Sequence, residues 1–144
     1  MTTLVSLLGY LLMVAGILGL IVHRDLLSPA PAVILLQAGA VCLMLWARWT
    51  FGRRSFHATA TPTQGGLVTT GPYRWIRHPI YAAVCLFATA CVLGHPSLFS
   101  LGVAGIAAIG SAMRILAEEA LLRKRYPEYE EYAHKTRRVL PYLF

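Results

Sequence analysis

The sequence predicts an all-α integral membrane protein, with four transmembrane helices as two hairpins and a C-terminal helical tail on the cytoplasmic face. Three observations carry that expectation. The 144 residues are 57% hydrophobic and 13% charged, with a mean hydropathy of +0.60, too apolar for a soluble domain of this size. Four apolar runs are separated by polar links. Of the 13 Lys and Arg residues, five lie between the second and third runs, seven follow the fourth, and one, Arg24, lies on the other side.

The first run, Leu4 to Val22, has 19 uncharged residues. At roughly 1.5 Å per residue it spans about 28 Å, close to the hydrocarbon thickness. A secretory leader is the competing reading, but MTT has no basic opening segment and no clear small-x-small cleavage site follows. After the turn-rich link HRDLLSPAP comes the second run, from Pro31, which closes on Arg48, Trp49 and Phe51, residues suited to a membrane interface. The stretch FGRRSFHATATPTQGGLVTTGPYRWIR (51–77) is then too polar to cross lipid.

The third run, Ile80 to Leu93, is short, but Trp75, Ile76 and Pro79 can extend it toward the interface. GHPS (94–97) separates it from the fourth run, Leu98 to Met113. The expected spans are therefore about 4–22, 31–49, 79–94 and 97–115, with a tail over 116–144, in one domain covering residues 1–144. The positive-inside rule puts both termini and the long middle loop in the cytoplasm. The net charge of +7 follows from this topology and from contact with anionic headgroups, leaving no place for a nucleic-acid partner.

Ala104, Ala108 and Ala112 on the fourth run, and Ala15 and Gly19 on the first, recur at a spacing that lets membrane helices approach closely. Such faces serve contacts within and between chains alike, so the oligomeric state stays open. Cys42, Cys85 and Cys91 read as ordinary buried thiols, without the Cys/His spacing of a metal site. In the tail, Pro127 suits the first turn of a new helix, and Tyr126, Tyr129 and Tyr132 share one helical face, so the tail is expected to fold back over the helix ends.

The densest polar cluster, RWIRHPIY (74–81), opens the third span. Pro79 marks the first helical position and His78 the cap, where bare N–H groups and the helix dipole attract an anion. On spacing alone the plainer reading carries more weight: Arg74 and Arg77 reach to headgroups, Tyr73, Trp75 and Tyr81 form an aromatic belt, and His78 merely caps. Glu118 and Glu119 form the second cluster. They suit i,i+4 pairs with Arg114 and Arg123, each worth a few tenths of a kcal/mol, while one glutamate can face the His78 end. The two clusters describe a cavity between the third and fourth spans, cationic on one wall and acidic on the other, suited to a zwitterionic cofactor with an apolar body such as S-adenosylmethionine.

LVTTGPYRWIRHPIYAA (67–83), followed by EEALLRKRYPEYEEY (118–132), resembles the membrane-embedded methyltransferases that include isoprenylcysteine carboxyl methyltransferase and the phospholipid N-methyltransferases. The resemblance covers about half the chain. It implies methyl transfer from S-adenosylmethionine, yielding S-adenosylhomocysteine, to a lipid-like acceptor: the carboxylate of an isoprenylcysteine-type molecule or the amine of a phospholipid headgroup. Carried over by position, Gly71 and Tyr73 line the cofactor, His78, Pro79 and Tyr81 hold its methionine end, and Glu118 and Glu119 supply ribose or ammonium contacts. Arg77 orients the nucleophile or the cofactor carboxylate, and Glu119 is the candidate base for an amine. Relatives often carry glycine where this chain has Ala83, two residues after the tyrosine of the motif. A membrane sterol reductase using NADPH is the alternative enzyme, although Ile80 stands where those enzymes carry asparagine. A non-enzymatic four-span subunit is the alternative outside catalysis.

Overall fold

The computed structural model describes residues 2–26, 28–52 and 66–140. Residues 53–65 of the basic middle loop, with Arg53 and Arg54, and the last four residues of the tail lie outside them. Among the described residues the chain forms five α-helices: α1 (Thr2–Val22), α2 (Pro31–Phe51), α3 (Pro79–Gly94), α4 (Leu98–Arg125) and α5 (Tyr129–Lys135), with a 3-10 turn at Gly71–Arg74.

The helices begin where the sequence offers a start. Pro31 and Pro79 occupy the first turns of α2 and α3, where the missing N–H costs nothing. Ser97 and Ser100 form a reciprocal capping box on α4, each side chain accepting from the other's backbone N–H at 3.0 Å. α1, α2 and α4 are long and apolar enough to cross a membrane, whereas α3, with 16 residues, is shorter. Leu4, Leu11, Leu35, Leu45, Leu101 and Ile109 are exposed, as suits side chains facing hydrocarbon.

The partners of the helices follow shape rather than chain order. α1 packs along α4, α4 against α3, and α3 along α2. The consecutive helices α1 and α2 therefore find their main partners elsewhere, where two sequential hairpins were expected. Glycine explains the α1–α4 contact. A Cβ at Gly16 would lie 2.5 Å from the Val103 carbonyl oxygen and 2.7 Å from the Ala107 nitrogen, and one at Gly110 would lie 2.5 Å from the Gly9 oxygen. Gly9, Gly16 and Gly19 thus meet Val103, Ala107 and Gly110, while Ala15, Ala108 and Ala112 of the expected small-residue faces are exposed. The cysteines also differ from expectation: Cys91 is buried, but Cys85 is only half-buried and Cys42 is exposed on α2.

A modest apolar core of Leu20, Ala88 and Cys91, with Ile17, Phe87 and Val103 against it, joins α1, α3 and α4. At the opposite end of the bundle from this core, the polar ends of α3 and α4 and the tail come together.

Candidate active site

The approach to the site is a tight turn. Gly71 has φ +57°, and a Cβ there would run into the side chain of Thr50 at the end of α2. Only glycine fits both constraints without strain. The turn buries Pro72 and Tyr73 while leaving Trp75 half-exposed against Trp46, with the Arg74 guanidinium 4.7 Å over its ring. Tyr73 packs on Phe51 at 5.5 Å, and its hydroxyl is buried with no hydrogen-bond partner. Burial, reinforced by the Glu118 charge, pushes that hydroxyl's pKa up. A cleft of about 410 Å³, lined by Thr50 to Gly52 and Leu67 to Thr70, adjoins this turn.

Beyond the turn the chain meets the tail. The Arg77 N–H donates to Arg137 O at 2.7 Å, the His78 N–H to Arg138 O at 2.9 Å, and the Arg137 N–H to Trp75 O at 3.1 Å, a short parallel bridge. Arg77 reinforces it. Its Nη1 donates to the carbonyls of Ala133 (2.8 Å) and Thr136 (2.5 Å), satisfying the end of α5, while Nε donates to Glu119 Oε1 at 3.1 Å. Tyr132 adds a hydrogen bond from its hydroxyl to Tyr73 O at 2.7 Å.

Glu119, only 1% exposed, is the hub of this clasp. Besides Arg77 it accepts from Arg138 Nη2 at 3.1 Å and Nε at 3.2 Å, and Arg123 Nη1 stands 3.5 Å away. Tyr129, fully buried beside it, has its hydroxyl pKa pushed up to about 12, by burial first and by the Glu119 charge second.

Glu118 belongs to a second network. Its Oε1 accepts from the Tyr81 hydroxyl and from Arg114 Nη2 (3.0 Å), while Arg114 Nε donates to the Tyr81 oxygen at 2.7 Å. His78 lies between the two carboxylates, with Nδ1 3.6 Å from Glu118 Oε2 and Nε2 3.4 Å from Glu119 Oε1. These separations allow ion pairing, but Nε2 makes no hydrogen bond and is buried. The ring occupies the cap position of α3 without capping it by a side-chain hydrogen bond. Burial alone would lower the pKa of His78, but the carboxylates of Glu118 and Glu119 outweigh it and raise the pKa above the usual 6.5.

The structure thus brings Arg77, His78, Tyr81, Glu118 and Glu119 into one cluster, with Pro79 fully buried beneath it and Gly71 and Tyr73 joined to it through the turn. Ala83 is buried on the same side of α3. Both expected i,i+4 pairs form, Arg114 with Glu118 and Arg123 with Glu119, yet both glutamates also approach His78. Sequence reasoning missed Arg138, Thr136 and the inward role of Arg114. The pairing of Arg114 with Glu118 was a usable signal; nothing in the spacing pointed to Arg138. Among the described residues no group of three His, Cys, Asp or Glu side chains is set to hold a metal.

An Arg/His/Glu cluster is thus closed by the tail at the mouth of apolar helices. The chain matches the phospholipid methyltransferase family over residues 30–129 and belongs to that family. It is 40% identical over 81 residues to the nickel-cobalt-cadmium resistance protein NccN of Alcaligenes xylosoxydans xylosoxydans, a stretch covering 54% of this chain and 37% of that protein. It is 37% identical over 81 residues to the cobalt-zinc-cadmium resistance protein CzcN of Cupriavidus metallidurans, covering 54% of this chain and 36% of that one. The matched stretch is little more than a third of the length of these curated relatives. No solved structure matches the chain.

Proposed function

We propose that the protein transfers a methyl group from S-adenosylmethionine to a lipid-like acceptor at the cytoplasmic membrane face. The observation that carries this reading is the convergence of His78, Tyr81 and Glu118 in a chain of the phospholipid methyltransferase family. The residues fit the cofactor. The Tyr73 hydroxyl and His78 Nε2 are buried polar atoms lacking hydrogen bonds, and a ligand supplying them would remove a cost of about 1–3 kcal/mol each. Glu118 Oε2 has only the distant His78 nitrogen as a described partner, so it retains capacity for an ammonium or a hydroxyl.

When bound, S-adenosylmethionine supplies the electrophilic sulfonium methyl. Gly71 lets the backbone turn closely, Tyr73, His78, Pro79, Tyr81 and Glu118 hold the cofactor, and Arg77 with Glu119 position the tail that excludes water. Glu119 is proposed in this positioning role because four side chains already surround its carboxylate. Between the two acceptor chemistries the geometry favours an amine. Arg77, Arg114 and Arg138 are already engaged with Glu118, Glu119, Tyr81 or tail carbonyls, which makes them less suited to orient a substrate carboxylate. Glu118 Oε2 is the atom able to take the amine's proton. The reading rests on family and site, and the metal-resistance names of two relatives contribute nothing to it.

Calorimetric binding of S-adenosylmethionine, S-adenosylhomocysteine and NADPH to the detergent-purified protein tests it. The expected result is binding of the first two, weakened about tenfold or more in His78→Ala and Glu118→Gln variants that remain folded. Binding of NADPH alone would replace the reading with a reductase, and binding of none would return the protein to a structural membrane subunit.

A further inference from the structure

We infer that Arg114 is a positioning residue of the site: through Tyr81 and Glu118 it fixes which carboxylate oxygen meets the cationic part of cofactor or acceptor. The inference rests on the methyltransferase reading above and assigns a role to a side chain outside its binding set.

As an exposed helical i,i+4 pair, Arg114 and Glu118 would contribute little. The structure gives Arg114 another setting. It is 5% exposed, at the polar end of the apolar part of α4 and at the junction of α1, α3 and α4. α1 makes room for it: a Cβ at Gly9 would lie 3.1 Å from Arg114 Cγ, and the guanidinium lies 5.5 Å over the Tyr10 ring and 5.9 Å from that of Tyr81. A cation buried at this depth is costly unless paired, and an apolar side chain of similar volume would pack there without that cost. Its position therefore calls for a directional role.

Arginine can only donate. With Arg114 Nε donating to the Tyr81 oxygen at 2.7 Å, the Tyr81 hydroxyl proton is free to point only at its other neighbour, Glu118 Oε1. Arg114 Nη2 donates to that same Oε1 at 3.0 Å. One carboxylate oxygen is thereby taken up from two sides, and the plane of the carboxylate is set. Oε2 is turned toward His78 Nδ1, 3.6 Å away, as the oxygen with capacity left for a ligand. α1 lies outside the family-matched residues 30–129, so Gly9 and Tyr10 support this arrangement from beyond the matched segment.

The test is a double-mutant cycle on S-adenosylhomocysteine binding, measured by calorimetry on the full chain in detergent. Arg114→Lys keeps the charge but loses the fork, and Tyr81→Phe removes only the hydroxyl. Each single variant is expected to weaken binding about tenfold, and the double variant little more than either single one, because both break the same arrangement. Unchanged affinity in Arg114→Lys, or losses that multiply to about hundredfold in the double variant, would overturn the inference while leaving the cofactor reading intact. A parent chain that binds no S-adenosylhomocysteine would overturn both, so the two failures are told apart.

Discussion

Replacing Glu119 by Gln should loosen the tail before it unfolds the bundle. Two of the four side chains around the carboxylate differ in kind. Arg77, whose side chain is 9% exposed, leads into α3, whereas Arg138, 31% exposed, belongs to the tail. Removing one partner of a buried pair costs about 3–5 kcal/mol. The lower end, about 3 kcal/mol, is expected here because Arg77 keeps the carbonyls of Ala133 and Thr136. That loss falls on the whole fold. The Arg138 contacts govern opening of the tail alone; charge-assisted hydrogen bonds are worth about 1.5–3 kcal/mol, and solvent screening of Arg138 brings the estimate to about 1.4 kcal/mol. That corresponds to about a tenfold rise in the opening equilibrium. Hydrogen exchange reads it directly at the amides of Arg77, His78 and Arg137, which close the bridge between the tail and the mouth of α3. Unchanged protection at these amides in Glu119→Gln, with the rest of the protein folded, would refute the clasp.

Two further outcomes follow from the same contacts. Because the pKa of His78 is raised above 6.5 in the folded state, its stabilising contribution is complete below that pH and is lost as the pH rises through the folded-state value. Thermal stability in detergent should therefore decline on going alkaline from about pH 6.5, and His78→Gln should flatten the decline; an identical pH profile in that variant would refute the pairing with Glu118 and Glu119. Gly16→Val should weaken the α1–α4 contact by about 1–3 kcal/mol or more, since its Cβ would strike the backbone of Val103 and Ala107. Gly39→Val, with nothing within 4 Å of its Cβ position, should leave the unfolding midpoint in a denaturing detergent unchanged, and equal effects of the two would disprove the glycine seam.

Much of the local structure is legible in the residues. The apolar runs and the prolines at 31 and 79 set α1, α2 and α3 within a few residues, because hydrogen bonding within a helix is local and proline is tolerated at the first turn, whereas α4 continues past the expected end at 115 to Arg125. The pairing of Glu118 with Arg114 and of Glu119 with Arg123 follows from helical spacing. The motif of residues 67–83 and the glutamate pair both fall inside the stretch that matches the family, and the fold gathers His78, Tyr81, Glu118 and Glu119 from them into one cluster.

What needed the tertiary structure is the choice of faces. In a bilayer an apolar side chain is at home against lipid or against protein, so a helix that is apolar all round does not say which face packs. Ala108, Ala112 and Ala15 have the small-residue spacing yet face outward, whereas Gly9, Gly16 and Gly110 sit where two backbones touch. Only shape complementarity separates these cases. The same holds for charge: helical period brings Arg114 to Glu118, but only the crossing of α1, α3 and α4 buries Arg114 against Tyr81 and Tyr10, and only the return of the tail sets Arg138 on Glu119. By itself, then, the sequence determined most of the helices, the family and the i,i+4 pairs of the two glutamates, because those depend on short-range spacing. The tertiary structure decided which helix faces meet and which cations join the glutamates from other elements, Arg77 and Arg138 on Glu119 and His78 between both, because those contacts join residues far apart in the chain.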